Sequence, residues 1–398
     1  VRRDRSGGVR RSGAERPVAP DEAAVDALFA QAGVVQTADA GELVDAARML
    51  AGQPLPAGDR LAVIGGGGTL DVLAAEAAEA AGLRVPALSP ALRARLAAIA
   101  GGPDELDNPV NLGVRASGEA LAAVVDEVVT SGEVDSLLVV VAGTRANGPA
   151  AALDALGSAV DRHPGFAAAV VVVGVPGPPV LGSRRVPVFD LPEPAVRALS
   201  RATRYAEWRR QPLGAPPYLP DIDAAAARAV VDEALSAGDG ALAAGAGWQP
   251  REQVVRLLNA YRIQVDELPE PDEGAPVRMT AGVIHDPLFG SLVHASTEAS
   301  GDPVYRLVPM TDRDAARMWR SLDHPAPPSD PDGATATAVQ DLLLRLGRLA
   351  EDLPEVAELR LDPVLAGPHE ATVAGARLRL RRTGVEPDPW LRRLRQPD

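Results

Sequence analysis

The 398-residue chain contains no cysteine, which removes disulfides, thiolate nucleophiles and zinc–thiolate centres at once. Lysine is missing too, so all 40 residues of the Lys+Arg total are arginine. With alanine and arginine abundant, a GC-rich coding bias accounts for most of this. The chemical consequence stands regardless: a mechanism that grips phosphate with lysine, as a P-loop does, has no residue to use. Histidine is scarce, with five residues (163, 285, 294, 324 and 369) and no pair at i,i+4 spacing, so a histidine-rich metal site is not expected. No apolar run approaches the roughly 20 residues that a membrane helix requires. No signal-peptide pattern opens the chain, and the expected location is cytoplasmic. A formal net charge of −14 repels phosphates from most of the surface, so nucleic acid is not an expected partner.

What is present is a chain with 46% hydrophobic residues, long enough for two or three domains with their own cores. Six arginines (2, 3, 5, 10, 11 and 16) stand among Gly, Ser and Pro in an opening stretch without apolar periodicity. It reads as a flexible basic arm over 1–20, frayed or docking an acidic partner. From Asp21 the pattern alternates. Helices are expected over 21–33 and 40–50, a buried strand over 60–64, and an alanine-rich helix from Thr69 to Ala81. Ser89-Pro90 caps a helix that ends near Gly101. A helix over 117–129, a continuous apolar strand Ser136 to Ala142, a helix over 149–160, strands 167–173 and 186–189, and a long helix 193–210 follow. Strands alternating with helices imply βαβ units, a parallel sheet and a doubly wound α/β layer sandwich. Four prolines in 211–220 mark a linker, taken as 211–222. Beyond it come helices near 224–237 and 250–261, hairpin-spaced strands (277–285, 291–295, 304–308), helices 312–322 and 336–351, and closing strands 358–361 and 371–380. These predict a smaller α+β domain. The charged tail 385–398 is expected to be loosely held.

The most site-like feature is Gly65-Gly66-Gly67-Gly68-Thr69. A strand ending in glycines at a helix start offers free N–H groups and the positive end of a dipole to an anion. It is not a Gly-x-Gly-x-x-Gly fingerprint, and Asp71 in the first helical turn can cap the helix in competition with a ligand. Anion binding and a tight structural turn both remain open. Asn108 and Asn111, in Asn108-Pro109-Val110-Asn111-Leu112, either line the same crevice or form an Asx-type turn. Asp362 reads from the residues as a turn or strand-end carboxylate. His285, Asp286 and His294 read as a solvated strand edge, and Tyr205 with Trp208 as packing.

Several segments, in a shared order, resemble the NDP-forming acetate–CoA ligase (acyl-CoA synthetase) family. They are Asp26–Val34, the strand–glycine loop–helix Arg60–Leu83, Asn108–Leu112 beside the family's Asn-Pro-Val-Asp-Leu turn, and Arg204–Arg210. Beyond the linker they are Leu257–Ile263, Asp286-Pro287-Leu288-Phe289-Gly290 and Val356–Pro363. The resemblance implies a ligase flavodoxin-like domain over 21–210 and an ATP-grasp region over 223–384. Its activity is acyl-CoA formation coupled to nucleotide cleavage, with CoA, ATP or ADP and magnesium as cofactors.

Set against that pattern, four requirements are unmet. The family's phosphate-relay histidine, in a Ser-His-Thr-Gly-like segment before the first helix, is replaced by Arg10-Arg11-Ser12-Gly13-Ala14-Glu15. The ATP-grasp lysine and its subdomain are missing where Val265–Glu273 runs straight toward the later strands. Of two magnesium ligands on the closing strands, one maps to Asp362 and the other to Gly375. The Gly-Leu-Gly-Gly phosphate loop corresponds to Ala295–Gly301, where Glu298 would repel phosphate. A separate CoA-binding domain is also absent. The expectation is a degenerate, catalytically impaired member with no catalytic residues of its own. Alternatives are a non-catalytic CoA- or nucleotide-binding regulator, a structural subunit whose partner chain supplies the CoA-binding or ATP-grasp parts, or a fragment of a longer gene product.

Overall fold

The computed structural model describes residues 22–101, 106–113, 116–143, 149–236, 248–266, 277–298, 303–322, 333–367 and 371–382. The basic arm 1–20, the joint 238–247, residues 299–301 of the expected phosphate loop and the tail 385–398 lie outside them. Two compact units emerge, Val35–Gln211 and a second that resumes at Pro212 and takes in the first helix.

In the first unit, β1 (Leu61–Gly65), β2 (Val110–Asn111), β3 (Ser136–Ala142), β4 (Ala167–Val173), β5 (Val180–Leu181) and β6 (Val186–Phe189) form one sheet. Its order is β2-β1-β3-β4-β6-β5, parallel except for the edge pair β5–β6. The apolar run of β3 is buried because helices cover both faces. Leu61 and Val63 of β1 meet Met49 of α2 (Ala40–Gly52), Ala74 of α3 (Thr69–Ala80) and Leu199 of α7 (Pro192–Arg210). Ala62 and Ile64 face the other way, onto Leu92 of α4 (Pro90–Ala100), Val124 of α5 (Gly118–Thr130) and Leu156 of α6 (Ala150–Arg162). The helix starts follow the sequence signals: Ser89 accepts from Leu92 N–H ahead of Pro90, and Ser117 accepts from Ala120 N–H. Because β2 and β3 flank β1 on opposite sides, the order reverses at β1. The crevice outside the carboxyl ends of β1 and β3 is therefore the switch point of a flavodoxin-like sheet.

The second unit contains α1 (Glu22–Ala32), α8 (Ala224–Ser236), α9 (Arg251–Ala260), α10 (Asp312–Arg320) and α11 (Ala334–Asp352). Its strands are β7 (Val277–Asp286), β8 (Gly290–Thr297), β9 (Val304–Leu307), β10 (Val356–Ala366), β11 (Ala371–Val373) and β12 (Ala376–Leu380). They pair antiparallel in the order β11-β10-β7-β8-β9, with β12 also on β10. The core holds Trp319, Tyr261, Leu257 and Leu346. Tyr261, fully buried, donates its hydroxyl to Asp352 Oδ2 at 3.0 Å.

Two features differ from the sequence reading. Residues 22–32 were expected with the first domain, but α1 belongs to the second unit. Gln31 explains the placement. Its carboxamide accepts the Leu307 N–H at 2.8 Å and donates to Leu307 O at 3.3 Å, pairing the backbone of an edge strand. The single strand expected over 371–380 is split into β11 and β12. Pro363 has no N–H to donate, so the ladder skips there, and Asp362 N–H bonds Gly375 O at 2.8 Å across the irregularity.

Candidate functional site

The glycine loop lies at the switch point. Gly65 ends β1 in register with Asn111 of β2 and Val140 of β3. Gly66 and Gly67 follow, and Gly68 turns with φ +56°, a conformation that L side chains rarely adopt. Thr69 opens α3. Asp71, only 1% exposed, folds back beneath this loop. Its Oδ2 accepts the Gly68 N–H at 3.0 Å, while Oδ1 is buried with no partner. Burial pushes the Asp71 carboxyl up to about 6, against the pull of the Gly68 and Gly67 N–H groups. A Cβ on Gly65 would run into that carboxyl and into Val140 O, which is why position 65 needs glycine.

Asn111 joins the loop. Its Oδ1 accepts the Gly113 N–H at 2.9 Å, and its Nδ2 lies 3.7 Å from the position of a Cβ on Gly68. Asn108 has a different task. Its Oδ1 accepts Val63 N–H at 3.0 Å, and its Nδ2 donates to Leu61 O at 2.8 Å and Pro86 O at 3.1 Å. The carboxamide thus stands in for a strand beside β1, short of where β2 begins, and all of it is spent on backbone.

Asp362 is exposed on β10. Among the described residues no cluster of three or more His, Asp or Glu side chains comes together to hold a metal ion, so Asp362 would have to share a cation with a ligand. Glu298 forms an exposed ion pair with Arg278 at 3.0 Å. His294, read as lying on a solvated strand edge, sits instead on the interior strand β8 against the Tyr305 ring (centroids 6.1 Å apart). Burial and the Arg360 charge push its imidazole down to about 4. His285 is also partly buried, with Nδ1 unpartnered and its basicity lowered by burial. Tyr205 and Trp208 stack with an interplanar angle of 12°, as packing.

Sequence reasoning passed over two features of the second unit. One is a cavity of about 660 Å³ lined by Arg262, Asp266, Thr337, Asp341, Arg345 and Thr372. Arg345 is held there by Asp341 at 2.7 Å and Asp221 at 3.1 Å. The other is a row of polar residues across the sheet that includes Arg360 and Arg377. The cavity belongs to no motif; Arg360 lies within the Val356–Pro363 segment of the resemblance, but the signal for the row was the period-two alternation of β10 and β12.

Residues 261–380 match the ATP-grasp domain family. A 105-residue stretch is 31% identical to the "Acetate--CoA ligase [ADP-forming] I subunit beta" of Pyrococcus furiosus, covering 24% of this chain and 45% of that protein. Among solved structures, the apo form of dinucleotide-forming acetyl-coenzyme A synthetase 1 from Ca. Korarchaeum cryptofilum is 20% identical, with a TM-score of 0.44 over 48% of this chain and 43% of that one. PH0766 from Pyrococcus horikoshii OT3 is 20% identical, with a TM-score of 0.42 over 47% and 45% of the two chains. The chain spans less than half the length of these relatives.

Proposed function

We propose that the chain is a member of the ADP-forming acetate–CoA ligase family whose own ligase chemistry is impaired. The observation that carries this reading is the short passage from α9, which ends at Ala260, to β7, which starts at Val277. By the family resemblance, the first half of the nucleotide clamp and its lysine belong in that interval, and the whole sequence has no lysine. A nucleoside triphosphate with magnesium does not fit the residues present: among the described residues Asp362 joins no cluster of three or more potential metal ligands, and Glu298 occupies the phosphate-loop segment. The glycine loop, the other place for a phosphoryl group, is capped from within by Asp71. A second anion there must displace a buried carboxyl or meet its charge. No reaction step is therefore routed through nucleotide, metal or CoA.

What the first unit retains is a switch-point crevice with Gly65–Thr69 and Asn111 at its mouth. This supports weak binding of an anionic group, such as a CoA phosphate, rather than turnover. The Pyrococcus furiosus relative is by its name one subunit of a ligase. This favours a second reading, in which this chain works beside a partner that supplies the CoA-binding or nucleotide-binding parts. A ligase flavodoxin-like domain, now taken from Val35 to 210 rather than from 21, a linker (211–222) and a truncated ATP-grasp-like domain (223–384) that takes in α1 belong to the same proposal. The test is acetyl-CoA formation by the purified full chain with ATP, magnesium, CoA and acetate. No product above the protein-free rate is expected; turnover near one per second, at the low end of ordinary enzymes, would refute impairment.

A further inference from the structure

Five side-chain positions fall in one row across the second unit's sheet. Tyr305 of β9 is opposite His294 of β8, His294 is opposite Gly282 of β7, Gly282 is opposite Arg360 of β10, and Arg360 is opposite Arg377 of β12. Directly opposed residues share a face, so the row is continuous. The opposite face is the packed one, since Ala281, Val283, Leu359, Leu361 and Leu378 all lie in the core.

Arg360 and Arg377 stand out in that row. Both are exposed, and their backbones are only about 5 Å apart, as for any opposed pair. Like charges in this position repel and weaken a sheet. No carboxylate offsets them: neither guanidinium has an ion pair or hydrogen bond among the described residues. The acids on the same face are Glu358 and Asp362, two residues either way along β10. Glu358 is committed to Arg379 at 3.6 Å, and Asp362 pairs with neither arginine. Arg379 stacks on the Trp248 ring at 4.2 Å from its centroid, and Arg377 lies 6.0 Å from the same ring. On the other flank Gly282 leaves room that the His294 ring enters, and a Cβ at 282 would meet His294 Nε2 at 2.8 Å. That imidazole is neutral at physiological pH, so it adds no third charge.

We propose that Arg360 and Arg377 form a metal-independent oxyanion site on the second unit's sheet, taking a phosphate or diphosphate group directly between two guanidinium forks with Trp248 and His294 as its walls. Two planar forks supply donors for the three or more oxygens of a phosphate group, more than the two oxygens of a carboxylate can use. A chain of net charge −14 repels long polyanions, so the ligand is a small molecule. Arg360 and Arg377 stand two residues from Asp362 and Gly375, the positions that the resemblance maps to magnesium ligands, and put guanidinium charge where the family pattern has a metal; the argument rests on that placement and not on ligase turnover.

The test is calorimetric titration of the full chain with inorganic pyrophosphate, in parallel arms with EDTA, with magnesium, and with acetate replacing pyrophosphate. Saturable binding that survives EDTA is expected, with acetate much weaker. Arg360→Gln and Arg377→Gln should each weaken it about tenfold or more, the loss expected for one charge-assisted fork. Arg95→Gln, which removes an exposed ion pair with Glu127 in the first unit, should leave it unchanged. Without ligand, Arg377→Gln should melt no lower than wild type, because it relieves repulsion. Absence of binding, binding that requires magnesium, equal binding of acetate, or undiminished binding in both arginine variants would each overturn the proposal.

Discussion

Replacing Asp71 with asparagine isolates the energetic cost of placing a carboxyl beneath the glycine loop. The folded-state value is raised from 3.8 to about 6 by burial. An acid whose folded value lies above its unfolded one binds its proton more tightly when folded. Stability from this group is therefore highest below about pH 4, is lost as pH rises through the window from 3.8 to about 6, and stays lost above it. A rise of roughly two units corresponds to about 3 kcal/mol at pH 7. Asparagine has the same shape, keeps an acceptor for the Gly68 N–H, and carries no charge. In place of the unpartnered Oδ1 its NH2 would face the Val140 carbonyl, which crowds the same point beside Gly65. Losing a negative charge at a helix N-terminus costs about 0.5–1 kcal/mol in return. Asp71→Asn should therefore stabilise the first unit by about 2 kcal/mol at pH 7 and by nothing near pH 4. Urea unfolding of both proteins from pH 4 to 8 measures this, and the wild-type-minus-variant difference cancels every other titrating group. A variant less stable than wild type at pH 7, by an amount independent of pH, would refute the reasoning. That result would mean the ionised carboxylate has a partner in the native protein.

Asn108→Ala should cost about 2–4 kcal/mol, because it strands the Val63 N–H and Leu61 O that the carboxamide satisfies; urea unfolding checks the size, and a loss under 0.5 kcal/mol would contradict it. Removing the imidazole in His294→Gln should flatten the acid side of the stability profile. The folded value is depressed to about 4, so wild type loses stability as pH falls from about 6.5 toward 4, with an upper limit of about 3 kcal/mol. Unfolding midpoints across that window are the readout. Tyr261→Phe should cost about 1.5–3 kcal/mol through the lost bond to Asp352, with the second unit's melt as the measure.

The first unit was the more legible in sequence. Ser89-Pro90 and Ser117 announce helix starts by side-chain chemistry, and the unbroken apolar run of β3 announces a strand covered on both faces. Such signals are local, and the structure carries them through to a parallel sheet. The strands β5 and β2 are two residues long and defined by pairing alone, so they leave little trace in composition. Placement of α1 was hidden for another reason: Gln31 reaches Leu307 across 276 positions of sequence, and no periodicity encodes such a contact. At the candidate site, the glycines marked the loop that lies at the switch point of the sheet. That Asn108 serves the β1 backbone while Asn111 faces the loop depends on where β2 begins. Asp71 could be read as a cap, but the orphaned Oδ1 follows from packing. Arg360 and Arg377 become a pair only when β12 is set in register on β10.

The account turns on whether this chain can accept a phosphoryl group from a nucleotide. Incubation of the purified protein with γ-labelled ATP and magnesium, followed by quenching and counting of protein-bound label, tests this directly. The account predicts no incorporation above a heat-denatured control. Label rising within seconds toward one phosphoryl group per chain would contradict it.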